Sequence, residues 1–177
     1  MQPLWIFGYG SLVWRPDFPH IEQCPAHIIG FKRRFWQGSI DHRGVPGAPG
    51  RVVTLLPAPD AICWGRAFRV PPEQTAEILA DLDHREKYGY SRERLPLHLS
   101  DGRIIPDGLV YRATVDNLGY LGPAPLDEIA HQIRRSVGPS GHNVEYLLKL
   151  DEALLEMGVE DDHVHPLAER VRQLAAQ

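Results

Sequence analysis

Apolar positions follow two different periods along this chain. Over residues 1–70 they come in short runs and alternations broken by turn residues, the pattern of strands. Leu4-Trp5-Ile6-Phe7 predicts a first strand. Gly8 to Trp14 reads as a glycine-bearing loop, and Arg15-Pro16-Asp17-Phe18-Pro19 holds too much proline for regular structure. Ala26 to Trp36 is rich in β-branched and aromatic residues and predicts a strand bent at Gly30. Asp41 to Gly50, with three glycines and two prolines, is an exposed loop. Arg51 to Leu56 predicts a strand that stops at Pro57 and Pro59. Cys63 to Val70 alternates as a further strand with one apolar face.

From Pro71 the period becomes that of a helix. Pro71-Pro72-Glu73 supplies the proline and acid that favour a helix start. Thr75, Ile78, Leu79 and Leu82 then share one face at roughly 100° per residue. Glu86 falls on that same face one turn later, before Gly89 ends the helix. A carboxylate thus stands where the pattern asks for an apolar side chain, and burial obliges it to be paired, protonated or used. The plainer alternatives are a frayed last turn with Glu86 in water, or an ion pair with Arg85 or Lys87.

Leu95 to Leu99, Ile104-Ile105 and Gly108 to Thr114 read as strands again. Three helical stripes close the chain. The first is Leu126, Ile129, Ala130, Ile133 and Val137, stopped by Gly138-Pro139. The second is Val144, Leu147, Leu148, Ala153, Leu154 and Met157, ended by Gly158. The third is Val164, Leu167, Ala168, Val171 and Leu174, capped by Asp161 or Asp162. Strands first and helices last predict an α+β fold: a mainly antiparallel, barrel-like sheet with packed helices.

Composition narrows the function classes. The 177 residues are enough for one domain with a full core, so a single domain over 1–177 is expected. The net charge of −4 argues against a nucleic-acid partner. No apolar run approaches ~20 residues, so no membrane span is expected. Met1-Gln2-Pro3 lacks a basic leader region, and a cytoplasmic location follows as the expectation. Cys24 and Cys63 fit neither a disulfide framework nor a zinc pattern, and read as free packing thiols.

Candidate chemistry is then weighed motif by motif. In Gly8-Tyr9-Gly10-Ser11-Leu12-Val13 the glycines allow positive φ and close approach of a ligand, and the amides can hold a carboxylate. A plain turn after a strand is the alternative. The motif lacks the third glycine and the basic residue of a phosphate loop. His163-Val164-His165 beside Asp161 and Asp162 is a poor metal candidate, because acids at a helix start act as caps. Neither a metal site nor a cofactor is expected. Lys32-Arg33-Arg34 among Phe31, Phe35 and Trp36 has the look of a single-strand binder, but a strand alternates its faces and an amphipathic strand accounts for it better. Ser11 has no histidine at motif spacing to activate it. Ser136 to Asn143 reads as a polar loop between helices. What survives is a loop able to hold a carboxylate and a single carboxylate on an apolar helix face. That pair suits a reaction that uses one general base and no protein nucleophile.

Phe7-Gly8-Tyr9-Gly10-Ser11-Leu12-Val13-Trp14 resembles the opening motif of the ChaC family of glutathione-specific γ-glutamylcyclotransferases. Further matches follow in order: Arg34-Phe35-Trp36-Gln37-Gly38-Ser39, Asp41-His42-Arg43-Gly44, Pro49-Gly50-Arg51-Val52-Val53-Thr54-Leu55 and Cys63-Trp64-Gly65. Leu82-Asp83-His84-Arg85-Glu86-Lys87-Tyr88-Gly89-Tyr90, Tyr120-Leu121-Gly122-Pro123-Ala124 and Gly138-Pro139-Ser140-Gly141-His142-Asn143-Val144-Glu145-Tyr146-Leu147 complete them. The resemblance implies a γ-glutamylcyclotransferase-like fold and a lyase that turns reduced glutathione into 5-oxoproline and cysteinylglycine. It places the catalytic glutamate at Glu86 and the substrate loop at Gly8, Tyr9, Gly10, Ser11, Leu12 and Val13. A semi-apolar setting is expected to raise the pKa of Glu86 toward its working range. Two rivals remain at this point: a cyclotransferase for γ-glutamyl amino acids or amines, and a non-catalytic module that binds a carboxylate-ended ligand.

Overall fold

The computed structural model describes residues 2–86 and 89–177, so Lys87, one partner considered for Glu86, and Tyr88 lie outside the described residues. Its strands are β1 (Trp5–Gly8), β2 (Glu22–Ser39), β3 (Gly50–Arg69), β4 (Tyr90–Leu99), β5 (Ile104–Ala113), β6 (Val137–Gly138) and β7 (Gly141–His142). Its helices are α1 (Thr75–Arg85), α2 (Leu126–Arg135), α3 (Asn143–Glu156) and α4 (Val164–Ala175), with a 3-10 turn at Ser11–Val13. The chain divides into two compact units, residues 1–32 with 57–117 and residues 33–56 with 118–177. None of the described helices is long and apolar enough to cross a membrane.

The first unit is built on a closed barrel in the order β1-β3-β2-β4-β5. Its neighbours pair antiparallel, as at Trp5 with Arg69 and Arg92 with Tyr111. One parallel contact, Ile6 with Leu109, closes it. Alternation sends Ala26, Ile28, Leu97 and Leu99 inward and leaves Ile29 and Ile104 in water. α1 lies on this sheet through Ile78 and Leu82, which join Ile6, Leu12, Val70, Leu109 and Tyr111 in one buried cluster. An 11-residue helix is marginal by itself. Two buried aliphatic side chains at about 1.5–3 kcal/mol each are what hold it.

Prolines end strands less often than the sequence pattern predicts. β3 is a single strand of 20 residues that runs through Pro57 and Pro59. Both prolines are exposed. Proline is tolerated in a strand at an edge or bulge, where its missing N–H breaks no ladder, and Asp60 at φ 64° marks such an irregularity. β5 likewise runs through Pro106 and joins two segments that the sequence separates. Gly30, where the sequence predicts a bend, has a left-handed φ of 95° within the continuous strand β2.

In the second unit α2, α3 and α4 pack against one another. Ile129, Ile133, Leu147, Leu150, Leu154, Leu167 and Val171 are buried, as their periodicity requires. The start of α4 is secured by Asp161, whose Oδ1 accepts the N–H groups of His163 (3.0 Å) and Val164 (2.7 Å). Its Oδ2 pairs at 2.6 Å with Arg33, whose side chain is fully buried. The segment 136–143 is no simple loop. Val137 and Gly138 pair with His142 and Gly141 in a small hairpin. Asn143, fully buried, then clasps Arg51: its Oδ1 accepts the Arg51 N–H at 2.7 Å and its Nδ2 donates to the Arg51 C=O at 2.8 Å. One amide side chain thereby satisfies both backbone groups of a buried residue. Backbones also approach very closely here. A Cβ on Gly44 would sit 2.1 Å from the Gly50 nitrogen, one on Gly50 2.3 Å from the Arg43 oxygen, and one on Gly138 2.4 Å from the His42 oxygen.

Candidate active site

Strand β1 delivers the glycine loop. It ends at Gly8, and the chain bends through Tyr9 and Gly10 into the 3-10 turn. The turn is closed by Val13 N–H donating to the Gly10 oxygen at 3.0 Å and Arg15 N–H donating to the Ser11 oxygen at 2.8 Å. Arg66 of β3 adds a hydrogen bond to the Val13 oxygen at 3.0 Å. Tyr9, Leu12 and Val13 are buried and anchor the loop. Gly10 and Ser11 are half-buried.

Left-handed backbone is not what the glycines provide. Gly10 has φ −123° and ψ −126°, and Gly8 is not among the positive-φ glycines. Gly8 is needed for space: a Cβ there would lie 2.7 Å from the Leu12 Cβ. The N–H groups of Ser11 and Leu12 open the turn and have no carbonyl within it to receive them. This is the arrangement that suits a carboxylate.

Helix α1 delivers the carboxylate. Its last helical residue is Arg85, so the helix ends earlier than the stop expected at Gly89, and Glu86 is its C-cap at φ −101° and ψ 28° rather than a residue within it. The Glu86 N–H still donates to the Leu82 oxygen at 2.9 Å. Glu86 is half-buried rather than a core residue. The turn before it is tied to the loop twice. Leu82 shares the buried cluster with Leu12. Arg85 Nη2 donates to the Ser11 Oγ at 2.7 Å, and Arg85 Nη1 lies 3.8 Å from Asp17. The structure therefore brings together the loop and the helix end that the sequence singled out separately.

Three side chains that the sequence did not single out, Tyr111, Asp83 and Arg92, complete this region together with Tyr9 of the loop. Tyr9 OH donates to the Tyr111 backbone oxygen at 2.6 Å. Tyr111 OH donates to the Asp83 Oδ1 at 2.8 Å. Arg92 grips Asp83 with Nε, at 2.9 Å to Oδ1, and with Nη2 to Oδ2. The hydrogen bond from Arg92, then that from Tyr111, holds the Asp83 carboxyl below the usual carboxylate range. Burial, and after it the hydrogen bond to Asp83, pushes the Tyr111 phenol up. Tyr111 thus remains a donor and Asp83 an acceptor across the neutral range. Asp83 and Arg85 flank the apolar stripe of α1. Only their spacing from Leu82 and Glu86 could have drawn notice.

The other candidates are used elsewhere. His163 Nε2 accepts the Phe35 N–H at 2.9 Å, and burial lowers its pKa to about 4. His165 Nδ1 meets Asp151 at 2.6 Å. The two histidines thus have separate partners, and no group of three or more metal-binding side chains occurs among the described residues. Arg33 and Arg34 pair with Asp161 and Asp162. Cys24 and Cys63 are buried and form no disulfide.

Comparison with known proteins covers nearly all of the chain. The ChaC-like protein family profile matches residues 4–174. A glutathione-specific γ-glutamylcyclotransferase 1 from Homo sapiens is 45% identical over 175 residues, 96% of this chain and 79% of that protein. A γ-glutamylcyclotransferase 2-3 from Arabidopsis thaliana is 43% identical over 181 residues, 98% of this chain and 91% of that one. The crystal structure of a γ-glutamyl cyclotransferase specific to glutathione from yeast superposes with a TM-score of 0.91 at 34% identity, covering 98% of this chain and 97% of that one. With a family profile that spans residues 4–174 and a relative 45% identical over 96% of this chain, the chain belongs to the ChaC-like family of γ-glutamylcyclotransferases.

Proposed function

We propose that this protein is a glutathione-specific γ-glutamylcyclotransferase that converts reduced glutathione into 5-oxoproline and L-cysteinylglycine. The observation that carries this reading is the joining of the glycine loop to the end of α1 by the Arg85–Ser11 hydrogen bond, with Glu86 as the next residue. The names of the relatives supply the substrate.

The chemistry asks little of the protein beyond position and one proton carrier. The α-amine of the γ-glutamyl unit attacks its own side-chain amide carbon. A C–N bond closes the five-membered ring, and the C–N bond to cysteine breaks. Both ends are already in one molecule, and a well-held conformer reaches effective molarities of ~10⁵ M or more. The amine is largely protonated near neutral pH, so a base must free it. Glu86 takes that proton and returns one to the departing cysteine nitrogen, and ends the cycle as it began. The amides that open the Ser11–Val13 turn hold the substrate carboxylate or the oxyanion that develops on the amide oxygen. Residues 1–177 act as one functional domain. Two cysteines outside any disulfide and a reduced-thiol substrate fit a reducing compartment such as the cytoplasm.

The test is an incubation of the purified protein with glutathione and, separately, with several γ-glutamyl amino acids, with quantification of 5-oxoproline and the released amine. Equimolar 5-oxoproline and cysteinylglycine from glutathione supports the proposal. Release from γ-glutamyl amino acids alone moves the enzyme to the rival substrate class. No product from any of them leaves only a binding module.

A further inference from the structure

Tyr111 touches both halves of the candidate site with different atoms. Its backbone oxygen receives the Tyr9 hydroxyl of the glycine loop at 2.6 Å. Its own hydroxyl donates to Asp83 of α1 at 2.8 Å. Asp83 lies three residues before Glu86 and is also held by Arg92, which donates to the same Oδ1 and to Oδ2. Arg92 and Tyr111 are register partners on β4 and β5, so the helix end is fastened to two adjacent strands. Tyr111 is 5% exposed and Tyr9 8%, so the Tyr9–Tyr111 bond is buried, while the Tyr111–Asp83 bond runs outward to a carboxylate at the surface.

Building on the proposed function, we infer that Tyr111 is a positioning residue: its carbonyl sets the substrate loop and its hydroxyl, through Asp83, sets the end of α1 that carries Glu86. The two ends then have separable consequences. Freeing the helix end displaces the base but leaves the loop held, which lowers kcat. Freeing the loop loosens the cradle, which raises KM. An ångström of misplacement is enough for a loss of roughly 10²-fold in rate.

Tyr111→Phe removes the hydroxyl, keeps the ring in the core and keeps the carbonyl for Tyr9. It is expected to lower kcat roughly 10- to 100-fold with KM within about twofold. Tyr9→Phe frees the loop end and is expected to raise KM with the smaller change in kcat. Asp83→Ala breaks the helix-side bond from a partly exposed position and should reproduce the kcat loss. Asp83→Asn keeps an acceptor for the phenol and should recover part of it. These four variants are compared with wild type by steady-state 5-oxoproline release, per mole of folded protein as determined by thermal melting. Equal losses in kcat and KM for Tyr111→Phe and Tyr9→Phe, or losses that vanish once the folded fraction is counted, overturn the positioning role. So does a Tyr111→Phe enzyme with wild-type kcat. A wild-type protein that forms no 5-oxoproline instead fails at the first measurement, which overturns the functional reading on which the inference rests.

Discussion

At Glu86 the helix has just ended and the residue is half-buried, one turn beyond Leu82 of the buried cluster. Two roles give opposite outcomes for Glu86→Gln. A structural carboxylate that loses its charge would destabilise the fold, and activity would fall only with the folded fraction. A proton carrier would leave stability equal or higher, because active-site groups are commonly held at some cost to the fold. The second outcome is expected, with turnover reduced by ~10²–10⁴-fold, the usual worth of general acid–base catalysis. Glutathione binding by calorimetry should persist, since the proposed mechanism assigns substrate binding to the loop and not to Glu86. Near-normal turnover in a well-folded Glu86→Gln protein rules out Glu86 as the base.

The start of α4 shows what one side chain contributes to an element. Asp161 both caps the helix and neutralises the buried Arg33. Loss of a cap alone costs about 0.5–2 kcal/mol, whereas leaving a buried charge without its partner costs about 3–5 kcal/mol. Asp161→Ala is therefore expected to lower unfolding free energy in urea by the larger amount. Asp161→Asn, which can still accept the amides, should recover only the capping part. A loss no bigger than that of an ordinary cap would show that Arg33 finds water on its own. This element also marks what a sequence discloses. The apolar stripe of α4 and its acidic cap are local signals, legible from Asp161 to Leu174. So were the stripe of α1 and the glycine loop. The partner of Asp161 is 128 residues away in the chain, and so is the backbone N–H that His163 satisfies. The Tyr111–Asp83 bond and the Asn143 clasp on Arg51 are likewise long-range pairings. Each depends on which strands neighbour each other, and periodicity carries no information on that. The prolines of β3 and β5 misled for a related reason: whether a strand tolerates proline is decided by the strand beside it.

For the whole molecule, acid should be more damaging than the sequence composition suggests. His163 is buried and neutral, with its pKa lowered from 6.5 to about 4 by desolvation. In the unfolded chain it takes up a proton near 6.5, while the folded protein resists until about 4. Its stabilising contribution is thus full above pH 6.5, is lost as pH falls toward 4, and is constant below that. The 2.5-unit gap corresponds to a loss on the order of 3 kcal/mol. Asp161, whose carboxyl the Arg33 charge and the α4 amides hold below 3.8 against the opposing effect of burial, loses its contribution at still lower pH. Denaturant melts should show stability falling as the pH is lowered from 6.5 toward 4. The His163→Gln variant, which offers an oxygen acceptor that does not titrate, should flatten that limb. An unchanged slope in the variant would assign the acid loss to other groups.

The close backbone contacts at Gly44, Gly50 and Gly138 set a limit on drift in this sequence. At each of these positions even a methyl group would overlap main-chain atoms that cannot swing aside. Gly47 and Gly102 have no neighbour within 4 Å of the added atom and are left-handed at φ 85° and 96°. A saturation library displayed and selected only for protease resistance should therefore return glycine alone at 44, 50 and 138. At 47 and 102 it should admit asparagine and aspartate, the residues that tolerate left-handed backbone. The first three glycines mark where the chain touches itself, and the other two only where it turns.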